Sequence, residues 1–122
     1  MSRFLMRTVC TGVKFDLTAV NGQVIATSEI YETKAACRKG IESVRKNAPV
    51  ARVEDQTGEG WKRQSNPKFE LFRDKAGEFR FRLKATNGKV IAVSEGYVTK
   101  AACENGIDSV KANAKEAEMA EE

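Results

Sequence analysis

Residues 81–114 read FRLKATNGKVIAVSEGYVTKAACENGIDSVKANA, and residues 15–48 read FDLTAVNGQVIATSEIYETKAACRKGIESVRKNA. At an offset of 66 the two stretches are identical at 22 of 34 positions. Identity at this level within one chain marks two copies of one supersecondary unit. A chain of 122 residues is long enough for one ordinary domain and short for two. The chain is therefore read as one composite domain over residues 1–120, with unit one at 3–54, a connecting segment at 55–67 and unit two at 68–120.

Working outward, Phe4-Leu5-Met6 and Phe69-Glu70-Leu71-Phe72 precede the repeats as first strands, at an offset of 65. Val13, Phe15, Leu17 and Ala19, and then Phe79, Phe81, Leu83 and Ala85, alternate with polar residues. Period 2 marks a half-buried antiparallel strand. Asn21-Gly22 and Asn87-Gly88 follow, and Asn-Gly between apolar segments signals a tight type I′ hairpin. A two-residue loop fixes the register. It sets Thr18 against Ile25, Asp16 against Thr27 and Lys14 against Glu29. In copy two it sets Ala85 against Val90, Phe81 against Ser94, Leu83 against Ala92, Lys84 against Ile91, Arg82 against Val93 and Arg80 against Glu95.

Thr33 and Thr99 are N-cap residues, each able to satisfy an unpaired backbone N–H of a following helix. Cys37, Ile41, Val44 and Ala48, with Cys103, Ile107, Val110 and Ala114, form the buried stripe of an amphipathic helix in each copy. Gly40 and Gly106 lie beside it, and glycine inside a helix costs about 1 kcal/mol relative to alanine. A close contact with another helix or the sheet is expected to compensate. Pro49 ends the first helix, and Val50-Ala51-Arg52-Val53 alternates as a fourth strand. After the second helix, Glu116-Ala117-Glu118-Met119 falls where a fourth strand belongs but lacks a strand's pattern. Asp55 to Pro67 is rich in Gly, Ser, Gln, Asn and charge, with Trp61 its one large apolar residue, expected to pack over a sheet edge or the body rather than to stack on a ligand.

The ordered motifs Asn-Gly, Val-Ile, Ser-Glu-x-Tyr, Gly-Ile-x-Ser-Val and Asn-Ala, each present twice, resemble the YegP-like family of small bacterial tandem-repeat proteins. The resemblance covers nearly the whole chain. It implies an α+β fold of two tandem β3-α-β units building a single antiparallel sheet, with two helices on one face and the C-terminal strand of each unit exchanged. It brings no biochemical activity and no catalytic residues. Glu116 to Glu122 departs from a clear final strand.

The chain has no histidine, no Cys-x-x-Cys and no Gly-rich phosphate loop, so zinc sites, His-based triads and nucleotide cradles lack their parts. No catalytic residue, metal site or cofactor is assigned, and a non-enzymatic protein is expected. Cys10, Cys37 and Cys103 are odd in number and unpaired in spacing, and no stretch approaches the roughly 20 apolar residues of a membrane helix. A cytoplasmic chain without membrane contact is expected, monomeric with internal pseudo-twofold symmetry because the duplication supplies both units.

Two candidate sites remain. Ser28, Glu29 and Tyr31, repeated as Ser94, Glu95 and Tyr97, place a duplicated ligand junction between strand and helix, unless the same residues serve the fold. Arg80, Arg82 and Lys84 form a basic row on the face away from the helices. The net charge is +4, and four glutamates sit in residues 116–122, so the rest of the chain stands at +8. A basic face suits nucleic acid, although no aromatic residue stands on that row to stack bases. The leading expectation is a small binding or stress-associated accessory module acting through a protein partner; the alternative is sequence-independent nucleic-acid binding.

Overall fold

The computed structural model describes residues 2–122. The chain runs β1 (Arg3–Val9), β2 (Gly12–Thr18), β3 (Val24–Thr27), α1 (Lys34–Asn47), β4 (Arg52–Asp55), β5 (Lys68–Arg73), β6 (Phe79–Lys84), β7 (Val90–Val93), α2 (Lys100–Ala114) and β8 (Glu118–Glu121). The eight strands form one sheet in the order β4-β5-β6-β7-β3-β2-β1-β8. The fold is thus α+β. Its sheet is mixed, not antiparallel throughout as expected, because β4 pairs with β5 and β8 pairs with β1 in parallel.

The parallel pairs follow from the seam between the halves. There β3 meets β7 antiparallel at Thr27 and Val93, which are equivalent positions of the two repeats. An antiparallel seam inverts the second half relative to the first. A strand antiparallel to β1 of its own repeat therefore runs parallel to β5, the inverted equivalent of β1. The segment after α2 does form a strand, contrary to its weak pattern. Arg3 to Met6 pair with Glu118 to Glu121, while Arg38 Nη2 and Lys34 Nζ lie 3.0 and 3.7 Å from Glu121. Arg45 Nη2 adds a 2.5 Å hydrogen bond to the Ala117 carbonyl. Pairing to β1 supplies what the sequence of β8 lacks. The ion pair of Lys100 with Asp55 at the end of β4 is its counterpart in the other half.

The hairpin turns also differ from expectation. Gly22 N–H donates to the Ala19 carbonyl and Ala19 N–H to the Gln23 carbonyl, with φ +84° at Gly22 and no positive φ at Asn21. Gly88, Ala85 and Lys89 repeat the pattern. These are three-residue loops with glycine in the left-handed position, not type I′ turns. The Asn21 and Asn87 side chains instead accept from the backbone N–H two residues on, at 3.0 Å each. The extra loop residue slips the register by one, pairing Thr18 with Val24 and Lys84 with Val90. A bulge at Ile25 and Ile91 restores it. Beyond the bulge, Asp16 with Thr27, Leu83 with Ala92 and Arg82 with Val93 pair as expected, and Leu17 pairs with Ala26, whereas Thr18 with Ile25, Lys84 with Ile91 and Ala85 with Val90 do not pair. The bulge also lets successive residues, Ile25 and Ala26, both be buried.

One core joins both halves, including Phe4, Phe15, Leu17, Phe69, Phe81 and Leu83 from the sheet. The expected helix stripes, Cys37, Ile41, Val44 and Ala48 and Cys103, Ile107, Val110 and Ala114, are fully buried against it. Thr33 and Thr99 cap the helices, accepting from Ala36 and Ala102 N–H at 3.0 and 3.1 Å. The helix glycines are explained by the tyrosines: a Cβ on Gly40 would collide with the Tyr31 ring, and one on Gly106 would lie 2.5 Å from the Tyr97 hydroxyl. The compensating contact is thus a ring from the strand-to-helix junction rather than a second helix. Gly40→Ala is expected to lower stability by up to about 2 kcal/mol, an overpacking cost of about 1–3 kcal/mol less a gain of about 1 kcal/mol in helix propensity. A urea midpoint at or above that of the parent would refute it. Residues 1–56 and 66–122, expressed apart, each keep the strand they deliver and lack the one they receive, β8 and β4 respectively; sedimentation and thermal melting should find neither to be a monomer with the parent's cooperative stability.

Candidate functional site

Ser28 and Ser94 are buried, and both hydrogen-bonding capacities of each hydroxyl are used inside the chain. Ser28 Oγ accepts from Phe15 N–H at 2.9 Å and donates to the Glu29 carbonyl at 2.7 Å; Ser94 does the same with Phe81 and Glu95 at 2.9 and 2.8 Å. Past this point the register shifts again, so that Val13 pairs with Tyr31 and Phe79 with Tyr97. Tyr31 stacks on Phe15 and Tyr97 on Phe81, each with ring centroids 6.4 Å apart. Burial raises both phenols above their ordinary range, followed by the nearby Cys37 or Cys103 and Glu29 or Glu95. Glu29 and Glu95 stand outside the ion pairs expected of them. Arg80 takes Asp74 at 2.6 Å instead of Glu95, and Lys14 has no ion pair with Glu29.

Arg80, Arg82 and Lys84 do share the outer face, but carboxylates not anticipated from the sequence meet them there. Glu70 Oε1 lies 2.5 Å from Arg82 Nε, and Glu70 Oε2 lies 3.4 Å from Lys84 Nζ. The strand pairings place one row across the outer face: Glu54, Glu70, Arg82, Val93, Thr27, Asp16, Leu5 and Ala120. The row is equivalent about its centre in position and unequal in chemistry. Glu54 answers to Ala120, Glu70 to Leu5 and Arg82 to Asp16. The charged end belongs to the second half alone.

At that end the connecting segment folds over β4, β5 and β6 and leaves a cavity of about 580 Å³, lined by Glu54, Gln56, Trp61, Arg63, Gln64, Ser65, Asn66, Lys68, Glu70 and Lys84. Its floor is a buried network. Glu54, 1% exposed, accepts from Lys68 Nζ at 2.8 Å, Gln64 N–H at 2.7 Å and Gln56 Nε2 at 2.6 Å. Lys68 also reaches Glu70 at 3.4 Å, and Gln56 Nε2 donates to Glu70 at 3.3 Å. Burial by itself would push the Glu54 carboxyl up; the hydrogen bonds from Lys68, Gln64 and Gln56, with the Lys68 charge, outweigh it and bring the pKa down to about 2. Glu70 is also lowered: burial opposes, and Arg82, Lys84 and Lys68 prevail. A carboxylate so held is a standing charge for binding and a poor proton carrier at neutral pH.

Sequence reasoning missed Glu54, Lys68 and Glu70. Their signal was present in Lys68 and Glu70 alternating with Phe69 and Leu71 on a strand whose counterpart carries Leu5. Cys37 and Cys103 are buried, and burial raises both thiols, Cys103 to about 11 with Glu104 and Asp55 adding to it. Cys10 is exposed. Among the described residues, no group of three metal-ligating side chains lies together, and no helix is long and apolar enough to cross a membrane.

The family described as a domain of unknown function (DUF1508) matches residues 12–55 and again 74–121. The chain belongs to this family. It is 40% identical over 108 residues to the UPF0339 protein PA0329 of Pseudomonas aeruginosa, covering 88% of this chain and 84% of that one. It is 44% identical over 101 residues to YegP of Escherichia coli O157:H7, covering 82% and 77%. A UPF0339 protein of Treponema denticola aligns over 54 residues at 57% identity, which is 44% of this chain and 93% of that one, the length of a single repeat. The solution NMR structure of yegP from E. coli superposes with a TM-score of 0.79 at 34% identity, over 98% of this chain and 91% of that one. That of SO3888 from Shewanella oneidensis gives 0.80 at 31%, over 98% and 90%.

The network has a pH signature. Because the folded pKa of Glu54 lies below its ordinary 4.5, its contribution is complete above about pH 5 and is lost as pH falls toward 2. Urea unfolding from pH 6 to 2 should show a loss on the order of 3 kcal/mol from this group. Glu54→Gln should flatten the profile and, by stranding buried charge, cost roughly 3–5 kcal/mol at pH 7. A profile equally steep in the variant would contradict the assignment.

Proposed function

We propose that this chain is a non-catalytic binding module that captures an anionic group in the pocket beneath its connecting segment. The observation that carries the reading is the charge balance there: Arg63, Lys68 and Lys84 line the pocket with two carboxylates, Glu54 and Glu70, which are already engaged by Lys68 and, from outside the pocket, by Arg82. Arg63 has no ion-pair partner among the described residues. Buried ion networks contribute little net stability compared with apolar packing. The other half supports this comparison, since it packs Leu5, Thr18 and Ala120 where the pocket has Glu70, Lys84 and Glu54. Binding gives the charged version a use that folding does not require.

In the cell such a module acts as an accessory to a protein partner, as a cytoplasmic monomer; its three free thiols suit a reducing compartment. Nucleic-acid binding along Arg80, Arg82 and Lys84 is the weaker reading, because Arg80 is held by Asp74 at 2.6 Å and Arg82 by Glu70 at 2.5 Å, leaving Lys84, 3.4 Å from Glu70, as the one loosely held cation of the row. Catalysis has little to work with in raised, buried thiols and a carboxylate held near 2.

Thermal melting in sulfate, phosphate and citrate, each against chloride at equal ionic strength, tests the reading. A bound anion at a hundred times its Kd stabilises by about 2.7 kcal/mol, a rise of several degrees. The rise is expected in the parent and absent from the Arg63→Gln, Lys84→Gln double variant. Equal behaviour of parent and variant in every salt would reject the pocket as an anion site.

A further inference from the structure

We infer that the anion is the phosphate monoester of a nucleoside-like molecule, its phosphate held between Arg63 and Lys84 and its planar ring lying on Trp61. This rests on the binding reading above and adds the ligand class. The cavity, about 580 Å³, falls within the roughly 300–1,000 Å³ of small-molecule sites. Among its lining residues Arg63, Lys68 and Lys84 outnumber Glu54 and Glu70, Arg63 forms no ion pair among the described residues, and a guanidinium with an ammonium suits phosphate oxygens.

Trp61 supplies the second half of the argument. It is the large apolar side chain of an otherwise polar segment, lines the cavity, and stays 45% exposed where burial in a core would have hidden it. A half-exposed indole beside cations is a stacking platform for a flat ring. Around it Gln56, Gln64, Ser65 and Asn66 offer donors and acceptors of both kinds to ring edges and sugar hydroxyls. A single unit, not a polymer, fits: beyond the pocket Arg80 is occupied by Asp74 and Arg82 by Glu70, so no free cation row continues along the face.

Trp61 is the chain's single tryptophan, so the site carries its own reporter. Full-length protein is titrated at low salt with adenosine 5′-monophosphate, adenosine, inorganic phosphate and a short acidic peptide, following indole emission and the backbone amides of Gln56, Gln64 and Lys68 by NMR. The monophosphate should give a saturable change. Adenosine and phosphate should each bind at least roughly tenfold more weakly; Arg63→Gln, which breaks no ion pair, should weaken the monophosphate by a similar factor without lowering the melting temperature, and Lys84→Gln should weaken it as well. Equal binding of adenosine and its monophosphate overturns the phosphate contact. Binding of the acidic peptide without the monophosphate overturns the ligand class and leaves anion capture standing. No saturable response by either readout to any of the anions overturns both.

Discussion

The exchange of β4 and β8 is the interaction on which the rest of this molecule depends. Each repeat ends its helix by delivering a strand to the other half, where it pairs in parallel with β5 or β1. The seam between the halves is narrow, centred on Thr27 and Val93. With the exchange, each half contains residues of both repeats. Lys100 to Asp55, and Lys34 and Arg38 to Glu121, tie the delivered strands to the receiving helices. The continuous core is a consequence.

Within each half a second constraint fixes how the helix lies on the sheet. The edge-on pairs Phe4 with Phe15 and Phe69 with Phe81, both at 5.8 Å, continue into the stacked Tyr31 and Tyr97, which reach the helix backbone at Gly40 and Gly106. Ser28 and Ser94 make that path possible, because their hydroxyls satisfy the backbone N–H of Phe15 and Phe81 where the ladder is interrupted. The Ser-Glu-x-Tyr motif thus carries folding duties in both copies, which accounts for its repetition.

What is not repeated is the outer face. A duplication starts with two equal faces, and here one end of the shared row carries Glu54, Glu70 and Arg82 while the other carries Ala120, Leu5 and Asp16. The connecting segment exists once, so it can cover only one end. Its backbone is anchored there by Gln64 N–H on Glu54. Symmetry explains the scaffold, and its loss marks the place where the two ends part in chemistry.

The sequence by itself determined the repeat, the strand alternation, the Thr caps, the helix stripes and most of the hairpin register, because each depends on local periodicity and backbone preference. It also showed that Gly40 and Gly106 needed a close neighbour, without naming Tyr31 and Tyr97. Only the tertiary structure decided the rest. The turn type was settled by a compensation between loop and bulge, two shifts that cancel and so leave the buried alternation unchanged. The strand at Glu118–Glu121 owes its existence to β1, since pairing with an open edge outweighs a poor local pattern. The direction of the exchanged strands followed from the inversion at the seam. The pocket joins residues from β4, β5, β6 and the connecting segment, and the burial of Lys68 and Glu70 comes from a cover that no periodicity reveals. Charges on the outer face read as solvated until the chain that lies over them is in place.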